Sequence, residues 1–199
     1  MTNNQKDFLN KRKSENFYKK AKKINVRARS YFKLEQLDKK FDLVKDNQTI
    51  IDLGSAPGSW IEYLDKKITT GKIIGIDLLE IKNQKEFSEK VEIIEDDFNN
   101  ILDYKLGEFD LILSDMAPEF SGDSVLDRGR THKLNINVIE FAKEHLKKKG
   151  TLAFKTFEGE DLDHVENMAK KVFYQVKEFK PQSSQKKSNE IFIICRDKK

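Results

Sequence analysis

The sequence predicts an α/β fold: a mostly parallel, seven-stranded sheet with helices on both faces and one antiparallel strand. Three observations predict it. Short apolar runs alternate with helix-like stretches along the chain. Those runs are rich in Ile and Phe and mostly lack polar alternation, as strands covered on both faces do. The last two runs are separated only by "KPQSSQKKSN", which leaves no room for a crossover helix and so requires a hairpin.

The elements follow in order. Two helices are predicted ahead of the sheet, over 5–23 and 29–41, with Tyr31, Leu34, Leu37 and Phe41 forming an apolar stripe on the second. Strands are read at 49–53 (TIIDL), 72–77 (KIIGID), 91–95 (VEIIE), 109–114 (FDLILS) and 151–157 (TLAFKTF). Helices over 59–68, 130–148 and 161–174 lie between and after them. In the middle one, Leu134, Val138, Phe141, Ala142 and His145 share a face, which makes His145 a core-border residue rather than a catalyst. Gly150 is placed to end that helix. The hairpin joins 176–179 (VKEF) to 190–195 (EIFIIC).

A chain of 199 residues fits one domain, with a basic helical extension over 1–41 and an α/β core over 42–199. No apolar run approaches the roughly 18 residues of a membrane helix. The N-terminal charges are followed by no apolar segment, so no secretory signal is expected. Cys195 alone permits no intramolecular disulfide, and one Cys with three scattered His makes no zinc site. A cytoplasmic location is expected. The net charge of +4 hides an asymmetry. Residues 1–40 hold 13 basic against 4 acidic residues, 41–176 hold 18 against 27, and 177–199 hold 7 against 3. Such ends are either a solvated surface or a grip for a polyanion.

The chemistry begins at "IIDLGSAPGSW" (50–60). In an open parallel sheet, ligands bind beyond the C-terminal strand ends. Gly54 and Gly58 let backbone approach a ligand, Pro57 stiffens the turn, and Trp60, the single tryptophan, opens the next helix where its ring can shield a bound molecule. The turn is not the G-x-G-x-x-G of dinucleotide binders, and on its own it reads equally as a packed structural turn. The next strand ends shift that balance. Asp77 ends the second strand, where a carboxylate can accept from both hydroxyls of a ribose. Asp96 and Asp97 follow the third, within reach of an adenine amino group, and Asp115 follows the fourth. An acidic rim suits an adenosine bearing a sulfonium better than a pyrophosphate, which points to S-adenosylmethionine.

With these residues in place the sequence resembles a known family. "RARSYFKL", "DLGSAPGSW", "SDMAPEFSG", "FKTFEGE" and "KPQSSQKKSNEIFII" occur in the order and context of the FtsJ/RrmJ RNA 2′-O-methyltransferases, from about residue 7 to residue 197. The resemblance implies a Rossmann-like methyltransferase fold and S-adenosylmethionine as cofactor, with no metal. It implies a catalytic tetrad on Lys33, Asp115, Lys155 and Glu190, and cofactor contacts from Gly58, Trp60, Asp77, Asp97 and Asp115. It further implies that the partner is ribosomal RNA within the large ribosomal particle. The implied target is a uridine ribose in the A-loop of 23S rRNA, and the implied working form is a monomer.

The tetrad makes chemical sense. A ribose hydroxyl is a weak acid; a cation nearby favours its alkoxide, and a desolvated lysine can act as a base. Lys155 sits inside an apolar strand, where a lysine needs a partner, and Asp115 and Glu190 are the expected neighbours. Lys19, Lys20, Lys22, Lys23, Arg27 and Arg29, with Lys186 and Lys187 in the hairpin loop, are expected to meet phosphates. Tyr31 and Phe32 are candidates for base stacking, though Tyr31 also suits the core. Against the family pattern, Ser59 replaces a glycine, Glu119 an asparagine, and Gln185 and Asn189 stand for arginines. Other targets, a tRNA or a messenger cap, stay open, as does a non-catalytic ribosome-assembly module. "APGSW" also resembles the turn of RNA cytosine-5 methyltransferases, but Cys195 lacks their Pro-Cys motif.

Overall fold

The computed structural model describes residue 17 and residues 19–101, 106–119, 121–159, 161–184 and 188–199. Most of the helix expected over 5–23, together with Lys186 and Lys187, lies outside the described residues. In chain order the elements are α1 (Tyr31–Phe41), β1 (Gln48–Leu53), α2 (Ser59–Lys67), β2 (Gly71–Asp77), β3 (Val91–Glu95), α3 (Phe98–Ile101), β4 (Phe109–Ser114), α4 (Ser124–His145), β5 (Leu146–Phe157), α5 (Leu162–Val172), β6 (Phe173–Phe179) and β7 (Glu190–Lys198).

The strands form one seven-stranded sheet in the order β3-β2-β1-β4-β5-β7-β6. Neighbours from β3 to β5 pair in parallel, whereas β7 runs antiparallel to both β5 and β6. The hairpin therefore supplies the one antiparallel strand, as its short loop requires. Ile50, Ile51 and Leu53 of β1 are fully buried because the sheet is covered on both faces. On one face Val138, Phe141 and Ala142 of α4 and Val165 and Ala169 of α5 form a core with Ile51, Leu53 and Phe154. On the other, Leu34 and Leu37 of α1 and Trp60, Ile61 and Leu64 of α2 pack on Ile50, Leu113 and Phe192. Each buried Val, Leu, Ile or Phe among them contributes about 1.5–3 kcal/mol by leaving water.

Asp38 fastens α1 to its surroundings. Its buried carboxylate accepts from Val44 N at 2.8 Å and from the Tyr63 hydroxyl of α2 at 2.6 Å, and Lys67 approaches to 3.3 Å. Burial and the Asp38 carboxylate together push the Tyr63 phenol up from its ordinary value. The stripe expected on α1 holds for Leu34 and Leu37, but Phe32 is also fully buried. Its ring contacts Phe17 and Tyr31, and Tyr31 packs edge-on against Tyr63. Phe32 is thus unavailable for base stacking, and Tyr31 is a packing residue.

Two other boundaries differ from expectation. Helix α4 starts at Ser124, earlier than read, because the Asp123 side chain caps the Val125 and Leu126 amides. It ends at His145, whose ring stacks on Phe141, and Leu146 enters β5 directly. Gly150 accordingly belongs to β5, not to a helix end. Pairing jumps from Phe109↔Leu146 to Leu111↔Thr151, and a Cβ on Gly150 would lie 2.6 Å from Leu146 Cγ. The glycine allows this tight return of the chain on itself.

Candidate active site

The C-terminal ends of β1 to β4 converge on a cavity of about 550 Å³, with Gly54, Asp77, Asp97, Phe98, Asp115 and Met116 among its walls. The β1–α2 turn shapes one side. Gly54 has φ +81°, and a Cβ there would stand 2.5 Å from Met116 Cγ, so no other residue fits without displacing the wall. Asp77 holds the turn from β2: one carboxylate oxygen accepts from Ala56 N at 2.8 Å, the other from Leu79 N at 2.9 Å. Across the cavity, Asp97 accepts from both the main chain and the side chain of Asn99 at 2.8 Å. Asp96 Oδ1 accepts from Asp97 N and Asn100 Nδ2, each at 2.7 Å.

Gly58 and Trp60 stand differently. Gly58, at φ +94°, caps α2, and Trp60 lies in its first turn. The indole is buried, donates through Nε1 to Ser30 O at 2.9 Å, and rests against Phe192 at 5.8 Å between centroids. Its ring therefore braces α1 against β7 and does not shield the cavity. What this turn can offer a ligand is main-chain N–H groups at a helix start.

Beside the cavity the four tetrad residues meet. Lys33 from α1 reaches Asp115 at 3.3 Å and Glu190, the first residue of β7, at 2.9 Å. Lys155 in β5 reaches the Asp115 carboxylate at 2.9 Å and also donates a short bond to the Asp115 carbonyl. Lys33, not Lys155, is thus the partner of Glu190. Side-chain exposures of 8–16% leave these ion pairs little screened by water. Two cations and two anions balance, so the group carries no net charge. Ser184 completes it, donating to Glu190 Oε1 at 2.7 Å.

Several contributors carried no usable sequence signal. Ser184 is one, because its role depends on the hairpin folding back. Arg130 and Lys133 from α4 line the cavity, and Arg130 donates to Glu119 O at 3.0 Å. Asp52, at the end of β1, is fully buried with no hydrogen-bond partner for either carboxylate oxygen. Burial first, then the neighbouring carboxylates of Asp115 and Asp77, push its carboxyl well above the usual range. One predicted phosphate contact is corrected: Arg27 donates to Lys82 O and Asn83 O, pairs with Glu86 at 2.9 Å and lies over the Phe87 ring. It is a strut for the loop after β2.

The family model for FtsJ-like methyltransferases matches residues 26–198. The chain belongs to this family. Ribosomal RNA large subunit methyltransferase E of Pelagibacter ubique is 34% identical over 197 residues, covering 96% of this chain and 95% of its own. The protein of that name from Methanosphaera stadtmanae is 38% identical over 195 residues, covering 94% of each chain. A Plasmodium falciparum structure named as a ribosomal RNA methyltransferase superposes with a TM-score of 0.76 at 28% identity, covering 87% of this chain and 98% of that one. Aeropyrum pernix fibrillarin, solved with S-adenosylmethionine, shares the fold at a TM-score of 0.60 and 14% identity, over 77% of this chain and 68% of that one.

As an FtsJ-like enzyme this is an S-adenosylmethionine-dependent methyltransferase with a Rossmann-like sheet. The cavity fits that cofactor by size and by donor set: a glycine turn with no Cβ at Gly54, and carboxylates from three successive strand ends. No helix among the described residues is long and apolar enough to cross a membrane.

Proposed function

We propose that the protein methylates a ribose 2′-hydroxyl of ribosomal RNA, with a uridine in the A-loop of 23S rRNA as its target. The observation that carries this reading is the meeting of Lys33, Lys155 and Glu190 around Asp115, which itself walls the cavity. The names of the relatives, which act on large-subunit ribosomal RNA, support the substrate.

S-adenosylmethionine, when bound, supplies a methyl group activated on a sulfonium. Asp77 would hold its ribose hydroxyls and Asp97 its adenine amine, and Trp60 would offer a main-chain N–H at the start of α2; the Gly58 N–H donates to Ser55 O at 2.7 Å, so Gly58 serves by shaping the turn. Asp115 faces both the cavity and the two lysines, so one carboxylate aligns donor and acceptor. Lys155, once it has released its own proton to solvent, takes the proton of the 2′-hydroxyl; the ammonium so restored pairs again with Asp115. Lys33, gripped by Asp115 and Glu190, steadies the negative charge that develops on the oxygen. In-line approach is a matter of positioning, and four side chains fixed by one another provide it. Exposed Lys19 and Lys23, with Lys20, Lys22 and Arg29, guide the phosphates.

The test incubates the protein and labelled cofactor with 23S rRNA, large ribosomal particles, tRNA and capped RNA, then maps the methylated ribose. A single A-loop uridine is expected. Lys155→Ala is expected to abolish transfer while leaving cofactor affinity within about twofold, as for a group acting only in the chemical step. Unchanged turnover would remove Lys155 from the mechanism.

A further inference from the structure

Asp52 is the one fully buried carboxyl among the described residues whose oxygens both lack a hydrogen-bond partner. It lies one residue before Leu53 and Gly54, which wall the cofactor cavity. The charged groups that act on it are Asp77, ending β2, and Asp115, after β4, and both also wall that cavity. Lys33 and Lys155 reach Asp115 rather than Asp52. A carboxyl so placed is held neutral in the free protein: it is shut off from bulk solvent, no protein group donates to it, and its charged neighbours repel a negative charge.

The cofactor proposed above to occupy the cavity would change that balance. The methyl donor brings a sulfonium cation; its demethylated product, S-adenosylhomocysteine, carries a neutral thioether at the same place. Their other groups are identical. A positive charge held in the cavity that Asp77 and Asp115 line would offset their repulsion and favour the ionised form of a nearby acid.

We propose that Asp52 is a charge sensor for the cofactor: neutral in the free protein, it releases its proton to solvent when the sulfonium binds and retains it when the product is bound. The donor complex thus gains an attraction that transfer of the methyl group abolishes. Asp52 acts through the field in the cavity and touches no reacting atom, so it is a positioning residue for the donor's charge. By linkage, the donor's association constant rises with pH by up to about tenfold per unit between the acid's values in the complex and in the free protein, then levels off. The product's constant stays flat over that interval.

The experiment is titration calorimetry on the full chain from about pH 5 to about pH 8, in buffers of differing ionisation enthalpy. The ligands are S-adenosylmethionine, S-adenosylhomocysteine and sinefungin, which carries an amine cation in place of the sulfonium. Proton release and a rising affinity are expected with the first and third and not with the second. In Asp52→Asn, a neutral isostere that keeps the buried shape, the release vanishes and donor affinity stays at its low-pH value. Infrared difference spectra of the free protein give a second reading: a protonated-carboxyl carbonyl band present in the wild type and missing in Asp52→Asn. Equal pH slopes for donor and product, a slope surviving in Asp52→Asn, or no such band would each overturn the proposal. Failure of all three ligands to bind would instead overturn the cofactor assignment, and this inference with it.

Discussion

Lys33 and Glu190 stand 157 residues apart in the chain, and their side chains meet at 2.9 Å. The contact closes the site across α1 and the antiparallel strand β7. Ser184 also holds Glu190, and Lys33 lies nearer to Glu190 than to Asp115, which it reaches at 3.3 Å. Glu190→Gln removes one of the two anions gripping Lys33 while keeping the shape. RNA methylation is expected to fall by about a hundredfold, the lower end of the range for a single electrostatic contact, and cofactor affinity to stay within about twofold. Single-turnover rates measured beside cofactor titrations check this; equal loss in both would mean that the substitution disturbs the cavity instead.

Lys155 can act by charge alone or by accepting a proton, and arginine separates the two. A guanidinium keeps the positive charge beside Asp115 but does not deprotonate in a protein. If Lys155 takes the 2′-hydroxyl proton, Lys155→Arg is expected to be as inactive as Lys155→Met, a loss of at least about a hundredfold. Recovery of a large share of the wild-type rate in the arginine variant would assign Lys155 a purely electrostatic part. Thermal melting of both variants checks that the fold survives.

Much of this site was legible in the sequence because strand ends are easily located. A run such as "FDLILS" terminates where its apolar residues stop, and Asp115 follows at once. The same reasoning placed Asp77, Asp96 and Asp97 on the rim, and only the family resemblance singled out Asp97. Trp60 was misjudged because its place at the start of α2 is set by sequence, whereas the direction of its ring is set by α1, which packs over it through Ser30. Arg27 failed for a related reason: a basic stretch reads as a solvated surface until the loop carrying Glu86 and Phe87 folds against it. Asp52 was hidden within "IIDLG", where an acid at a strand end looks ordinary until its burial is known.

The seat of α1 rests on Asp38, and its energetics are open to a double-mutant cycle. Tyr63→Phe removes one donor and leaves Asp38 paired with Val44 N and Lys67, so a cost of about 1 kcal/mol is expected. Asp38→Ala strands both the Val44 amide and the Tyr63 hydroxyl in a buried setting, for about 2–4 kcal/mol. The double variant is expected to cost less than the sum, since Asp38→Ala has already left the tyrosine without its acceptor. Urea unfolding monitored by fluorescence of Trp60 measures all three; strict additivity would mean that the hydroxyl and the carboxylate are not coupled.

The raised carboxyl of Asp52 sets a pH dependence of opposite sign to that of most aspartates. Its folded-state value lies above that of the unfolded chain, with burial the leading cause. Below the unfolded value, both states carry the proton and the residue contributes nothing to the slope. As pH rises through the interval, the unfolded chain ionises while the native protein keeps its proton, so the native state binds more protons and loses stability. The loss accumulates at up to about 1.4 kcal/mol per pH unit until the folded value is passed. Asp52→Asn has no proton to lose. Relative to the wild type, the variant is therefore expected to gain stability steadily as pH increases from about 4, in protein free of cofactor. Paired urea titrations across that range give the difference directly. A difference that stays constant with pH would mean that Asp52 is ionised in the native protein despite its burial, and that some positive charge compensates it.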